Sequence, residues 1–569
     1  MDKPWLRSYE PVVPATLEFP ESDIYRVFSG VVREFPNNTA VRLILSYLLG
    51  GRYTVGTAIT YAELSNKVER FANALSQLGV RKGDRIAVML PNSVHYVIVF
   101  MAAMRIGAIV VNNNPTYTAR ELKHQVIDSG AETIVLLNLF YPRLREIQSD
   151  TNIKRVIVCH MFDMLNTVSR TLVKAKQKRQ PDWVEVTPEH DIFFFETLLK
   201  KYPAMAPGVT VHPDDVAVLQ YTGGTTGLPK AAMLTHRNLL VNATQINAWF
   251  TSAERGAEKF MCAIPFFHVY GLVVAMVYGI SIGAEIQVVP NPRPIENVMN
   301  IMQKERSTIY PGVPAMYIGI VNHPNIANYD LRSIKACLSG SAPLPVEVQT
   351  KFIELTGGRL IEGFGMTELS PVSHANPLYG VSKKGSVGIP LSNTDAKIVD
   401  LETGADIPIG SDATGELWVR GPQVMKGYWQ RPEETAQTIT ADGWLRTGDI
   451  AKTDDDGYFY IVDRLKDMII CGGLKVLPRD VEEVLFMHPQ VREAAVVGIR
   501  NEARGDDTVT AFIVTHDGSP IDVESLKMFC KQYLAEFKIP RQFEFRTELP
   551  KTTVGKVLRR ELVAQYAKK

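Results

Sequence analysis

Residues 221–230 read Tyr221-Thr222-Gly223-Gly224-Thr225-Thr226-Gly227-Leu228-Pro229-Lys230, directly after an apolar run that is typical of a strand. Glycines allow the backbone to turn at positive φ and to approach a ligand closely. Threonine hydroxyls and the lysine ammonium add hydrogen-bond donors and positive charge. The stretch therefore predicts a loop that holds a polyphosphate. It is not a Walker A loop, because Pro229 precedes Lys230 and Ala231 follows it, where that motif has Gly-Lys-Ser/Thr.

Length and composition restrict the class of protein. A chain of 569 residues exceeds the size of one hydrophobic core, so several lobes are expected. The formal net charge of +1 argues against a general nucleic-acid-binding protein. The five cysteines are scattered and form no CxxC pair, which indicates a reducing compartment and no structural zinc. Apolar stretches at 92–112 and 269–283 fall short of the ~20 uninterrupted residues of a membrane span. We therefore expect a cytoplasmic protein.

The chain before the glycine-rich loop alternates between helix and strand patterns. Capping boxes, which mark helix starts, occur at Thr60 with Glu63 and at Thr118 with Glu121. Apolar runs predict strands at 85–90, 108–111, 133–137 and 216–221. This rhythm predicts an α/β fold in which helices cover a parallel sheet.

Segment 161–181 interrupts the rhythm. Its apolar residues are spaced for one helical face, namely Met161, Met164, Leu165, Val168 and Leu172. Its bases have no acid close to them in sequence, namely Arg170, Lys174, Lys176, Lys178 and Arg179. A basic amphipathic segment can lie on the anionic inner face of a membrane. A solvated, charged helix end explains the pattern equally well, so the sequence leaves both interpretations open.

Further segments with chemically active residues follow in order, at 265–271 (PFFHVYG), 338–344 (LSGSAPL), 362–368 (EGFGMTE), 443–449 (GWLRTGD), 463–476 (DRLKDMIICGGLKV) and 549–560 (LPKTTVGKVLRR). Together with the loop at 221–230, their order and spacing resemble the adenylate-forming superfamily. This superfamily comprises acyl-CoA synthetases, aryl-CoA ligases, luciferases and peptide-synthetase adenylation domains. The resemblance covers nearly the whole chain from Thr60 onward.

The resemblance implies a division into two domains. A large N-terminal domain is expected over residues 1–463, with sheet lobes at about 1–211 and 212–375 and a small β-barrel-like lobe at about 376–450. A hinge at 464–467 joins it to a small, mobile α+β C-terminal domain at 468–569. In the superfamily this domain turns between the two steps of the reaction.

The resemblance also implies the site, with ATP and coenzyme A as co-substrates and Mg²⁺ as the metal. The positions that match the family's nucleotide site are Tyr221, Thr222, Gly223, Gly224, Thr225, Thr226, Gly227, Lys230, Gly340, Ser341, Ala342, Gly363, Phe364, Gly365, Asp449 and Arg464. The positions that match the pantetheine channel are Gly472, Gly473 and Lys475. The positions that match the reacting residues are His268, Thr367, Glu368 and Lys556, with Lys466 as the hinge pivot. Glu368 and Thr222 match the Mg²⁺ ligands.

Two features favour a fatty acid as the acyl substrate. Segment 442–466 is similar to the signature stretch of fatty acyl-CoA synthetases, and Pro4-Trp5-Leu6 with the insertion at 161–181 resembles bacterial long-chain fatty-acid–CoA ligases. Ile470 replaces a lysine of luciferases, which argues against a light-producing enzyme. The expected activity is formation of a long-chain acyl-AMP from ATP, followed by transfer of the acyl group to coenzyme A.

The sequence alone leaves other functions open. A coumarate-type aryl-CoA ligase shares the motifs, and a carrier-loading adenylation domain is disfavoured because no carrier segment follows residue 569. From another class, a membrane-associated fatty-acid-binding protein would keep the fold without catalysis, although intact Lys556, Glu368 and Asp449 oppose it. A homodimer is a further hypothesis that the sequence does not test.

Overall fold

The parallel-sheet pattern predicted upstream of the glycine-rich loop is confirmed in a computed structural model that describes residues 3–48, 53–222, 229–471, 474–501, 506–552 and 555–566. The predicted residues 223–227 and 472–473 lie outside the described ranges. Numbered along the chain, the strands are β1 (Thr39–Leu48), β2 (Tyr53–Thr60), β3 (Arg85–Met89), β4 (Ile109–Asn112), β5 (Thr133–Leu137), β6 (Arg155–Cys159), β7 (Ile192–Phe194), β8 (Val216–Thr222), β9 (Lys230–Thr235), β10 (Lys259–Cys262), β11 (Glu285–Val288), β12 (Ile309–Gly312), β13 (Ala336–Ser339), β14 (Arg359–Gly365), β15 (Val372–Ala375), β16 (Ile389–Pro390), β17 (Asp395–Val399), β18 (Asp406–Ile407), β19 (Gly415–Arg420), β20 (Gly427–Tyr428), β21 (Leu445–Thr453), β22 (Phe459–Arg464), β23 (Ile469–Cys471), β24 (Leu474–Val476), β25 (Val491–Asn501), β26 (Asp506–Thr515) and β27 (Gln542–Phe545).

Several of the α-helices begin directly after a residue whose side chain accepts a hydrogen bond from an amide of the first turn. The α-helices are α1 (Ile24–Glu34), α2 (Tyr61–Gln77), α3 (Val94–Ile106), α4 (Ala119–Ser129), α5 (Tyr141–Arg145), α6 (Thr167–Gln177), α7 (Phe195–Lys201), α8 (His236–Trp249), α9 (Tyr278–Ser281), α10 (Glu296–Glu305), α11 (Pro314–Val321), α12 (Val346–Thr356), α13 (Pro432–Thr438), α14 (Pro478–Phe486), α15 (Val523–Lys531) and α16 (Arg559–Tyr566). Both predicted capping boxes are present, at Thr60 with Glu63 and at Thr118 with Glu121. Each box satisfies amide groups that the first helical turn leaves without partners.

Two large sheets form the body of the molecule. One has the strand order β20-β9-β8-β4-β3-β5-β6-β7, and the other has the order β16-β15-β14-β13-β12-β10-β11-β1-β2. Strands β3 to β7 pair in parallel, as do β10 to β14. The π-helical segment Gly271–Val277 and α9 are buried and cover one face of the second sheet. This arrangement is the helix-covered parallel architecture that the sequence predicts.

The predicted division of the two sheet lobes at residue 211 does not follow the sheets. Strands β1 and β2, from the first predicted lobe, lie at the edge of the second sheet, where β1 pairs with β11. Strands β8 and β9, from the second predicted lobe, complete the first sheet beside β4. A strand joins the sheet against which its apolar side chains can be buried. The order of the strands along the chain does not determine which sheet that is.

A smaller sheet of order β18-β17-β19-β21-β22 follows, in the region predicted to be β-barrel-like. Two described strands of this region lie outside the small sheet: β16 pairs with β15 of the second large sheet, and β20 pairs with β9 of the first. The C-terminal region contains the hairpin β23–β24 and the sheet β25-β26-β27, which pack with α14 and α15 around their own apolar core.

The structure corrects the interpretation of segment 161–181. Its helix, α6, begins only at Thr167, and Met161 and Leu165 are buried in the main core instead of sharing an exposed face with Val168. Arg170 donates two hydrogen bonds to Glu196, at 2.6 and 2.5 Å. Lys178 lies 3.4 Å from Glu185. The folded chain therefore supplies acids that the local sequence lacks.

None of the helices in the described ranges has the length and the apolar composition that crossing a bilayer requires.

Candidate active site

The predicted purine-binding segments come together at the ends of two neighbouring strands. Ser339 in β13 lies opposite Glu362 in β14, so residues 340–342, which follow β13, come next to residues 363–365, the last residues of β14. A Cβ added at Gly365 would lie 2.0 Å from the Pro371 carbonyl oxygen. Close approach of β15 therefore also requires glycine here, in addition to the space that a flat ring would need.

Tyr270 forms a wall of this region that sequence reasoning missed. Its hydroxyl donates to the carbonyl oxygens of Leu338, at 2.6 Å, and of Gly312, at 3.2 Å. A Cβ at Gly340 would touch the Tyr270 ring at 3.4 Å. An aromatic residue two positions after His268 is the only signal for it in the sequence, and its partners lie about 40 to 70 residues away.

Asp449 is positioned by strand pairing. It lies opposite Arg464 across β21 and β22, and its Oδ1 is 2.9 Å from the Arg464 Nε. The residue is only 2% exposed, and its Oδ2 has no hydrogen-bond partner among the described residues. Burial raises the pKa of this carboxyl, and Arg464 opposes the rise. A buried oxygen without a partner is suited to accept a hydrogen bond from a ligand hydroxyl.

Glu368 lies on the short 3₁₀ turn Thr367–Leu369 and is almost fully buried. The Tyr428 hydroxyl donates to its Oε1 at 2.8 Å, and the amide of Met425 donates to its carbonyl oxygen. Burial raises the pKa of Glu368, and the bond from Tyr428 opposes the rise. Lys230 Nζ lies 5.2 Å from the centroid of the Tyr428 ring. The predicted phosphate-binding lysine and metal-binding carboxylate therefore share one neighbour.

Lys556 is held by a tight loop of the C-terminal region. Its amide donates to the Thr552 hydroxyl at 3.1 Å, and its carbonyl accepts from the Thr552 amide at 2.8 Å. Gly555 has a φ of +81°, which favours glycine, and a Cβ there would lie 3.6 Å from that of Ala315 at the start of α11. The loop therefore rests directly on the second large sheet's lobe.

The ammonium of Lys556 stands among other cations. Its side chain is accessible to solvent, although protein surrounds it in the cleft. The desolvation that results is the largest cause that lowers the pKa of Lys556 to about 7, and the positive charges of Arg464 and Lys466 lower it further. Burial and the nearby Lys556 lower the pKa of His268 to about 4. Lys556 and His268, which are far apart in sequence, thus face the same cleft.

Hydrogen bonds fix the segment that contains His268. The carbonyl of Phe267 accepts from Gln220 in β8, which anchors the segment before His268, and His268 Nδ1 accepts from the Tyr270 amide at 3.3 Å. Burial and Arg464 lower the pKa of Lys466. The charges of Arg464, Lys466 and Lys556 all act on the buried Asp449 carboxylate. The cleft therefore has an excess of positive charge, which favours an anionic ligand.

Other predicted residues have partners within the protein. The Tyr221 hydroxyl donates to Asp128 at 2.7 Å, and Thr222 donates to the Lys230 carbonyl at 3.4 Å. Lys475 pairs with Glu402 of the small sheet's lobe at 3.0 Å. Their assigned contacts with ligands remain predictions.

Comparisons with known proteins agree with this geometry. A model of the AMP-binding enzyme family matches residues 28–429, and a model of the AMP-binding enzyme C-terminal domain matches residues 480–556. A long-chain-fatty-acid–CoA ligase of Bacillus subtilis (strain 168) is 41% identical over 565 residues, which cover 99% of this chain and 98% of the relative.

Two crystal structures of MatB from Rhodopseudomonas palustris, each 28% identical, cover 96% of this chain and 99% of theirs. The ATP-bound form matches with a TM-score of 0.81, and the ligand-free form matches with 0.70.

Proposed function

The chain belongs to the family of AMP-binding enzymes, and from this we propose that it activates a long-chain fatty acid with ATP and transfers the acyl group to coenzyme A. One observation carries the proposal. Lys556, from the C-terminal region, lies close enough to His268 to lower its pKa, and its own pKa responds to both members of the Asp449–Arg464 pair. The full-length similarity to a long-chain-fatty-acid–CoA ligase supports the choice of substrate.

In the first step a carboxylate oxygen of the fatty acid attacks the α-phosphorus of ATP. The bond to the β-phosphate breaks, pyrophosphate leaves, and an acyl-AMP forms. Two unit charges of like sign 4 Å apart repel by roughly 4 kcal/mol at an effective dielectric constant of 20. Bringing two anions together therefore requires several cations. Lys230, Arg464 and Lys556 supply them in this proposal, and Asp449 Oδ2 accepts a hydrogen bond from a ribose hydroxyl.

Glu368 suits a Mg²⁺ ion, because a carboxylate is a hard oxygen ligand. Within the described ranges, no group of three or more His, Cys, Asp or Glu side chains is arranged to hold a metal. This agrees with a Mg²⁺ ion bound by one carboxylate and mainly by substrate phosphates. When bound, the ion neutralises phosphate charge. A contribution of Thr222 to this site belongs to the same proposal.

In the second step the thiol of coenzyme A attacks the acyl carbonyl, the bond to AMP breaks, and AMP leaves. Lys556 then stands where the pantetheine arm must pass, so residues 464–467 act as a hinge that turns the C-terminal domain from about residue 468 onward. Polar contacts hold the present orientation, including Lys475 with Glu402 and the Arg479 guanidinium donating to the Ile461 carbonyl at 2.8 Å. The better match to the ATP-bound form of MatB supports an orientation suited to the first step.

The experiment that tests the function measures CoA-dependent AMP formation with carboxylic acids from acetate to oleate and with coumarate. We expect the highest kcat/KM with long-chain fatty acids. A preference for coumarate would support the aryl-CoA ligase alternative. Absence of pyrophosphate exchange with every acid would support a non-catalytic fatty-acid-binding protein.

Binding of ATP is expected to be coupled to proton uptake near pH 8. Lys556 has a pKa of about 7 in the free protein, and the phosphates of bound ATP raise it. The pKa is higher in the complex, so the contribution of Lys556 to affinity is full below pH 7 and is lost as pH rises through the pKa of the complex. Calorimetry at pH 8 in phosphate and in Tris buffer measures the uptake. The Lys556→Arg variant is the control, because arginine stays protonated in both states. Equal binding enthalpies for the wild type in both buffers would contradict the prediction.

Contact with a membrane surface through α6 remains part of the proposal. Val168 and Leu172 are 58% and 47% exposed and lie one turn apart. Lys174, Lys176 and Arg179 form no ion pair with any residue in the described ranges. Reversing these three charges should weaken binding to anionic vesicles at least about tenfold. Reversal of Lys384, Lys531 and Arg541, which are exposed and also form no ion pair in the described ranges, is the matched control, and equal losses in both triple variants would refute a role for α6.

The proposed location is the cytoplasm, with attachment to the inner face of the membrane through α6. A homodimer is also proposed, and light scattering coupled to size-exclusion chromatography tests it.

A further inference from the structure

Tyr428 occupies a backbone position that is fixed from both sides. Its strand, β20, leaves the small sheet's lobe to pair with β9, where Tyr428 lies opposite Ala232. The Tyr428 amide donates to the Thr435 hydroxyl at 2.9 Å. Gly427, with a φ of +139°, packs so closely that a Cβ would lie 2.7 Å from Thr435 Cγ2. The direction of the Tyr428 ring is therefore set by two separate parts of the chain.

The fixed ring lies between two groups of opposite charge. Its hydroxyl donates to Glu368 Oε1 at 2.8 Å, and Lys230 Nζ lies 5.2 Å from the ring centroid. The tyrosine is only 8% exposed, so both contacts are largely shielded from water. A phenol provides a donor for the carboxylate at its edge and a negative face for the ammonium. Glu368 and Lys230 thus both interact with the neutral Tyr428 side chain, and both keep their charge.

We infer that Tyr428 is a positioning residue that keeps the Lys230 ammonium from pairing with the Glu368 carboxylate, so that both remain available to ATP and its metal. This inference rests on the proposed function. Opposite charges in a partly buried site attract strongly, and lysine has a long, flexible side chain. Without the ring, Lys230 would turn to Glu368, and the cation intended for the phosphates would be occupied before ATP arrives.

The first test separates the hydroxyl from the ring. Tyr428→Phe removes the hydrogen bond to Glu368 and keeps the aromatic face for Lys230. We expect acyl-AMP formation to need about tenfold more Mg²⁺ for half-saturation, the effect of losing one hydrogen bond to a charged group. The reaction of supplied acyl-AMP with coenzyme A should not change. Tyr25→Phe, which removes a hydroxyl bonded to Glu69 far from the cleft, is the matched control. An unchanged Mg²⁺ requirement in Tyr428→Phe would refute this part of the inference.

The second test measures binding without metal and without turnover. A fluorescent ATP analogue is titrated in EDTA against the wild type, Tyr428→Phe, Tyr428→Leu and the double variant Tyr428→Leu with Glu368→Gln. We expect Tyr428→Leu to bind about tenfold more weakly, because Lys230 then pairs with Glu368, whereas Tyr428→Phe binds like the wild type. The double variant should regain affinity, because glutamine carries no charge to trap the lysine.

The double variant distinguishes a charge trap from structural damage. If Tyr428→Leu only disturbs packing, Glu368→Gln cannot restore binding, and the inference fails. Melting temperatures of all variants identify any that are unfolded, and Tyr428→Phe keeps the test valid if Tyr428→Leu does not fold. Failure of the proposed function itself is recognised separately, because the wild type would then show neither binding of the analogue nor pyrophosphate exchange.

Discussion

Replacing Lys556 with alanine is expected to slow acyl-AMP formation by about 10³-fold and to leave the reaction of supplied acyl-AMP with coenzyme A at the wild-type rate. The lysine lies near enough to His268 to lower the histidine's pKa, and in the proposed mechanism the carboxylate meets the nucleotide there. In that mechanism charge develops at this place in the first step only, because the second step follows rotation of the C-terminal domain. Pyrophosphate exchange measures the first step, and release of AMP from synthetic acyl-AMP measures the second.

A neighbouring lysine provides the control. Lys551 lies in the same loop but pairs with Glu493 at 2.6 Å, within the C-terminal domain. Lys551→Ala should therefore leave both steps unchanged. Equal loss of both steps in Lys556→Ala would refute the rotation of the C-terminal domain, because it would mean that Lys556 serves one fixed site.

Replacing Asp449 with asparagine is expected to lower kcat/KM for ATP by about 10²-fold. One carboxylate oxygen holds Arg464, and the other is buried without a partner in the described ranges, so each has a distinct task. An amide offers one acceptor where the carboxylate offers two. Both steps should slow, because in the proposed mechanism Asp449 holds the ribose of ATP and then of the acyl-AMP, and this distinguishes Asp449 from Lys556.

Substrate analogues identify the contact that is lost. The wild type should prefer ATP over its 2′-deoxy and 3′-deoxy forms, and Asp449→Asn should lose most of the preference for at least one of them. Asp395→Asn is the control, since Asp395 pairs with Lys3 and Arg420 elsewhere on the small sheet's lobe. An unchanged preference in Asp449→Asn would show that the ribose is held by other groups.

Features with local causes were predictable from the sequence. The capping boxes at Thr60 and Thr118 depend on residues three positions apart, and strand β5 has the predicted bounds of 133–137. The motif order also indicated that Asp449 and Lys556 serve one cleft, and the structure places their charges close together. Capping boxes, short strands and the order of motifs can be recognised in the sequence without knowing how the lobes pack together.

Features that depend on packing were not predictable. The bond from Tyr428 to Glu368 joins residues 60 positions apart, through a strand that leaves its own lobe. The pairing of Arg170 with Glu196 likewise appears only when α6 and α7 are brought together. Neither pair has a periodic or local pattern, because the contact is created by the approach of elements whose positions the rest of the fold decides.

The pairing of β1 with β11 affects how the chain folds during its synthesis on the ribosome. Strand β11 leaves the ribosome about 240 residues later than β1, which at 5–20 residues per second is a delay of roughly 10 to 50 s. During that time the edge of β1 that will pair with β11 is exposed, and such edges template aggregation. The nascent chain should therefore depend on chaperones until β11 has been synthesised, and ribosome-bound chains that end before residue 285 should be the most prone to aggregate.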